Sequence, residues 1–286
     1  MIYLFLCIIS STLIFVIFKV AGKMKIDNYA LITINYIVAA ILGFSLGGFP
    51  DFRQLQTGWF IMALVIGILF ILIFVVMALT TQKSGMAVST IASKMSVVVP
   101  ISFSIYFFNE SISPFKIFTI VIALVAVLLT IYKKRIGKKY TRSALFLPII
   151  LFLGTGTIDS LIKYSQELYV SNEKSIHFSS ILFMISALTG IMILLFRPQS
   201  KKAMVKPKVL LSGFVLGIVN FGSLYGLINA LGSNIFDSSV LFGINNICIV
   251  MLSVILALII FREKLHFINK IGIVLSIIAI ILLSFV

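Results

Sequence analysis

Ten apolar stretches, separated by short polar connections, account for nearly the whole chain. They run at about 2–21, 29–47, 59–80, 84–107, 114–132, 144–164, 177–196, 208–230, 234–260 and 267–286. About twenty helical residues cover a hydrocarbon core about 30 Å thick, so each stretch predicts a membrane-crossing helix. The period-two alternation of an outer-membrane strand is scarce. The predicted fold class is an all-α polytopic membrane protein of ten transmembrane helices. The first stretch lacks a basic leader and a small-residue cleavage site, so it predicts a retained helix and not a signal peptide.

The pattern then occurs a second time. Phe108-Asn109-Glu110 closes the fourth stretch, and Phe261-Arg262-Glu263 closes the ninth. At one fixed offset Ile120-Val121 meets Ile273-Val274, Ala126 meets Ala279 and Leu129 meets Leu282, an ungapped internal repeat. Each unit holds five spans, an odd number, so the second must insert upside down. The expected organisation is a first repeat over 1–135, a basic linker over 136–142 and a second, inverted repeat over 143–286.

Composition agrees. Of 286 residues, 61% are hydrophobic and 11% charged, with a mean hydropathy of +1.21. Soluble domains average about 45–50% apolar and about 25% charged, so a soluble fold is excluded. The net charge of +15 needs no nucleic-acid partner. Of 23 Lys and Arg, only Arg53, Lys116, Lys163 and Lys174 fall in the even-numbered loops; apart from Lys94, inside a span, the rest sit in the odd-numbered ones. The positive-inside rule then predicts a multi-pass cytoplasmic (inner) membrane protein with both termini outside. Cys7 and Cys248 both lie inside apolar stretches and read as small core residues.

A few polar residues interrupt the spans. Lys94 costs roughly 2.5–3.5 kcal/mol at the middle of an apolar helix, so it predicts either a substrate-facing cation, able to change protonation during a cycle, or half of a structural pair. The repeat offset sets Ala92-Ser93 against Asn245-Asn246 and Lys94 against Ile247, so Ser93, Lys94, Asn245 and Asn246 reach matching depths from opposite halves. Asp159 stands four residues before Lys163, on the same helix face; it reads as that local pair or as an acid lining the cavity. Helix eight carries Gly213, Gly217, Gly222 and Gly226, which permit close helix approach. It also carries Asn220, Ser223, Tyr225 and Asn229, which give it a polar aspect. Thr155 and Thr157 on helix six, and Ser10, Ser11 and Thr12 on helix one, repeat that signal more weakly. Pro100 predicts a kink one to two turns past Lys94. Glu110 and Glu263 read as caps or anchors of the turns they begin. His177 and His266 lack metal-ligand spacing, and no cofactor or metal site is predicted. The candidate substrate-binding set is Lys94, Ser93, Asn245, Asn246, Asn220, Tyr225, Asp159 and Thr157.

The five-plus-five arrangement, the two Phe-x-Glu endings, and Lys19 and Lys163 near the ends of helices one and six resemble the drug/metabolite transporter (DMT) superfamily, EamA type. Gly272 follows the second motif, where the first repeat has Thr119; Lys116 and Asn269 stand where the family commonly has Gln. The resemblance implies secondary transport of a small polar or amphipathic metabolite, such as an amino acid, by alternating access and often as export. Many relatives keep both termini inside, against the charge bias here. The expected partners are a small-molecule substrate and the lipid bilayer, with proton coupling as a candidate and the chain acting as a monomer or homodimer. The alternatives are sugar or other metabolite uptake by the same fold, or an integral-membrane enzyme acting on lipid-linked substrates. The short basic loops lack the carboxylate or His clusters such enzymes carry, so the chain is not expected to be an enzyme.

Overall fold

The computed structural model describes residues 1–49, 57–107, 113–132, 143–169, 175–232, 238–283 and 285. Phe108, Asn109, Glu110 and the basic stretch from Lys133 to Arg142 lie outside the described residues. The described elements are all helical: α1 (Ile2–Lys23), α2 (Asn28–Gly47), α3 (Thr57–Lys83), α4 (Met86–Met95), α5 (Val98–Phe107), α6 (Pro114–Ile131), α7 (Ser143–Leu168), α8 (Ser175–Leu195), α9 (Pro198–Met204), α10 (Pro207–Gly232), α11 (Ser238–Ile259) and α12 (Phe267–Leu283). Among the described residues nine segments are long and apolar enough to cross a membrane, with α4 and α5 together making one of them. The apolar α12 is shorter than these and stands where the tenth predicted span lies. Lipid offers the backbone no hydrogen-bond partner, so helices that satisfy themselves are the available solution. Hydroxyls follow the same rule: Thr33 donates to the Tyr29 carbonyl at 2.8 Å, Thr80 to Val76 at 2.7 Å and Thr130 to Ala126 at 2.8 Å.

Packing follows the repeat. Counting α4 with α5 as the fourth span and passing over the short α9, the spans of the first half are α1, α2, α3, α4–α5 and α6. Those of the second are α7, α8, α10, α11 and α12. Exchanging the halves turns the pair α1·α10 into α7·α3, and both pairs pack. It turns α2·α10 into α8·α3 and α1·α11 into α7·α4, and these pack as well. The pairs α2·α8, α6·α12 and α4·α11 map onto themselves. This is the two-repeat architecture the internal sequence match predicts.

The connections after helices one, three, seven and nine gather at one end. Asp27 caps α2 by accepting from the Ala30 amide at 2.9 Å, and its other oxygen accepts from the Ser200 hydroxyl of α9 at 2.9 Å. Asn28 and Gln82 exchange amide bonds of 3.1 and 2.9 Å. Arg197 lies 4.0 Å over the Tyr29 ring, and Lys23 lies 4.8 Å over Phe261. Between the ends, Phe18, Tyr36, Phe74 and Phe183 form an aromatic core, where the Tyr36 hydroxyl donates to the Phe70 carbonyl at 3.1 Å.

Helix α10 shows how the glycines act. Gly213 and Gly217 lie against α2, where an added Cβ would stand 3.1 Å from the Leu31 carbonyl and 2.8 Å from that of Asn35. Gly222 and Gly226 lie against α1, and a Cβ at Gly226 would stand 2.8 Å from both the Cys7 amide nitrogen and the Tyr3 carbonyl. A four-residue step stays on one helix face, whereas the five-residue step from Gly217 to Gly222 turns by about 140° at 3.6 residues per turn. Hence the two glycine pairs serve two neighbours.

Candidate functional site

The fourth span is broken at its middle. Helix α4 stops at Met95, Ser96 and Val97 form a turn, and α5 starts at Val98. The cause is Pro100, which has no amide hydrogen and whose ring crowds the carbonyl four residues back, that of Ser96. That carbonyl accepts instead from Val99 at 2.8 Å. The interruption therefore falls two residues after Lys94, closer than the kink expected one to two turns beyond it. Eight residues at 1.5 Å rise separate Met86 from Lys94, about 12 Å.

Around the break the bundle collects polar groups from five helices. Lys94 on α4 is within electrostatic reach of Asp159 on α7 and of Cys7 on α1. Ser96 Oγ stands beside both the Ser93 carbonyl and the Asp159 carboxyl. Gly156 makes that approach feasible, since a Cβ there would meet Val99 at 2.5 Å and the Ser96 carbonyl at 3.0 Å. On α1, Cys7 Sγ lies 3.9 Å from Ser11 Oγ, which bonds Ser223 Oγ of α10 at 2.6 Å. Ser223 and Asn245 of α11 also stand beside the Cys7 thiol. Asn245 is 3% exposed, yet its Oδ1 accepts from no described protein donor. A buried acceptor without a donor costs about 1–3 kcal/mol. Asp159 is exposed and Lys94 is half-buried, so both charges border open space rather than sealed core.

The structure thus brings Lys94, Asp159 and Asn245 together, with Ser93 and Asn246 flanking on the same two helices. The remaining candidates are elsewhere. Asn220 sits against Asn35 of α2; oriented to satisfy its neighbours, Asn35 donates to the Leu216 carbonyl at 3.1 Å, with Asn220 Nδ2 at 3.2 Å. Tyr225 stacks on Phe221 and meets Tyr3 edge-on, beside a small cleft lined by Ile176, Ser179 and Ile228. Thr157 lies on the exposed stripe of α7 with Phe146, Ile150 and Leu153, and its hydroxyl returns to the Leu153 carbonyl at 2.8 Å. Cys7, read from sequence as a small core residue, belongs to the polar cluster; the signal for it is Ser11 four residues later on the same face. Ser96 carried no signal beyond its nearness to Pro100.

Two repeats of membrane helices, a broken span and a polar centre at its break define an integral membrane protein of the inverted-repeat transporter type. The chain belongs to the EamA-like transporter family, which matches it over residues 1–132 and 143–285. It is similar to an uncharacterised protein of Haemophilus influenzae, 26% identical over 290 residues that cover 99% of this chain and 97% of the relative. A crystal structure shares the fold with a TM-score of 0.62 at 15% identity, covering 98% of this chain and 94% of the other. Family membership makes the protein a membrane transporter of small molecules.

Proposed function

We propose that this chain is a secondary active transporter that moves a small polar or amphipathic metabolite, amino-acid-like and carboxylate-bearing, by alternating access. In this reading it works as an exporter in the cytoplasmic membrane. One observation carries the proposal: a cation and an anion from opposite repeats, Lys94 and Asp159, border open space beside a buried acceptor, Asn245 Oδ1, at the break of a span. Charged side chains at bilayer depth face the bundle interior or a water-filled cavity and mark substrate paths. Lys94 would take the substrate carboxylate, and Asn245 Oδ1 would take a donor from the substrate. Asp159 and Lys94 are the groups that would exchange a proton with the cycle.

The test is flux in proteoliposomes over a library of small metabolites, with and without a pH gradient. The expected outcome is saturable movement of a carboxylate-bearing compound, accelerated by the gradient and reduced at least about 100-fold in Lys94→Met, the upper range for one site-to-ligand coupling. Equal flux in wild type and Lys94→Met would remove the lysine from the site, and flux confined to uncharged sugars would overturn the substrate class.

A further inference from the structure

Helix α4 has no cap of its own. Its N-cap residue is Gly85, which offers no side-chain oxygen, and its first turn contains no acid. Such an end leaves backbone amides without partners and a partial positive charge without compensation. The missing partner comes from the other repeat. Glu263, in the connection after α11, accepts from the Met86 amide at 2.8 Å with Oε1 and from the Ala87 amide at 3.4 Å with Oε2. The same carboxylate is ion-paired at 2.5 Å with Lys19 of α1, whose ammonium also donates to the Thr81 carbonyl of α3 at 3.4 Å. Gly85 makes room for it: its φ is +108°, and an added Cβ would stand 2.9 Å from Glu263 Oε2. Arg262, at φ 50°, turns the connection, and the Glu263 amide folds back onto the Ala257 carbonyl at 2.9 Å. Both charged side chains are largely buried, 16% exposed for Lys19 and 10% for Glu263.

The helix held in this way is short and is hinged. It ends at the turn of Ser96 and Val97, with Lys94 beside the hinge and Met86 at the held end. A rod pinned at one end and hinged at the other has one way to move, which is to release the pin. We infer that the junction of Lys19, Glu263 and the α4 amides is a latch that keeps this face of the bundle shut, and that Glu263 is a positioning residue which holds Lys94 in place through α4. The inference takes its purpose from the transport reading, but its test needs no substrate.

Native Cys7 is the reporter, because it lies in the polar centre and is 1% exposed. In a Cys248→Ser background, a charged, membrane-impermeant thiol reagent is applied to oriented membrane vesicles from the face that carries Lys19. The latched protein labels slowly from that face. Glu263→Gln, which keeps an acceptor but loses the charge, and Lys19→Met, which leaves the cap untouched, should each raise the labelling rate about tenfold, a typical coupling between two states. Lys19→Arg should stay near wild type, and Gly85→Ala, which removes no charge, should behave like Glu263→Gln. Folding is followed in parallel by monodispersity in detergent. Unchanged labelling in folded Glu263→Gln and Lys19→Met overturns the latch. Loss of folded Lys19→Met with normal Lys19→Arg assigns the pair to folding and also overturns it. Failure of the flux assay leaves the labelling result standing, so the two readings fail separately.

Discussion

A lysine and an aspartate brought within electrostatic reach of each other inside a bilayer lower each other's cost. Either charge alone would be expensive, and the cost falls when both are present. Lys94 and Asp159 come from opposite repeats, 65 positions apart in the chain, and Ser96 steadies the acid between them. Lys94→Met should therefore destabilise the protein in detergent by about 1–3 kcal/mol, and adding Asp159→Asn should return most of that loss, the sign of coupled neighbours. Thermal unfolding of the two single variants and the double variant measures it. Strictly additive losses would show two independent groups. Lys94 was legible in the sequence because a cation in an apolar run breaks the pattern that produces the run. Its nearness to Asp159 was not, since Asp159 has Lys163 one turn away and periodicity alone cannot choose between a near neighbour and a distant one.

Helices meet where their side chains are smallest, and α10 meets two of them. Gly226 allows α1 to come within backbone contact, so Gly226→Ala must push against the Cys7 amide and the Tyr3 carbonyl, neither of which can rotate away. The expected loss is about 1–3 kcal/mol of stability, the usual cost of overpacking. Gly222→Ala meets only the Ser10 hydroxyl at 3.2 Å, a movable group, and should cost less than about 1 kcal/mol. Chemical unfolding of both variants separates them, and equal losses would contradict the assignment of faces. The glycine spacing itself announced close approach, and the five-residue step contained the change of partner. Proline announced the broken span for a similarly local reason, a ring that collides with the carbonyl four residues back. The cap on α4 announced nothing, because Glu263 and Met86 are 177 residues apart and nothing near Gly85 suggests an acid will arrive. Asn269 belongs to the same class: its amide donates to the Thr130 and Tyr132 carbonyls at 2.8 and 2.7 Å and so closes the end of α6 from α12.

At the scale of the molecule, the described basic connections, those after spans one, three, seven and nine, collect on one face, as Lys19 with Glu263 and Asp27 with Ser200 show. The charge bias then predicts that a C-terminal alkaline phosphatase fusion is active and a C-terminal green fluorescent fusion is dark; the reverse pattern would turn the whole assignment over. The exchange rule obeyed by most helix pairs reaches further. Three packed pairs depart from it: α1·α3, α1·α4 and α4·α12 pack more closely than their counterparts α7·α10, α7·α11 and α6·α11, so exchanging the halves describes a second shape in which each half does what the other does now. The two shapes would be equal in energy if the halves were identical in sequence. They are not: Lys94 faces Ile247 across the offset, Lys116 faces Asn269 and Thr119 faces Gly272. Under the proposed alternating access, the preference of the resting protein for one opening over the other is carried by the positions where the halves disagree, and a molecule with perfectly matched halves would have no preferred direction in which to wait.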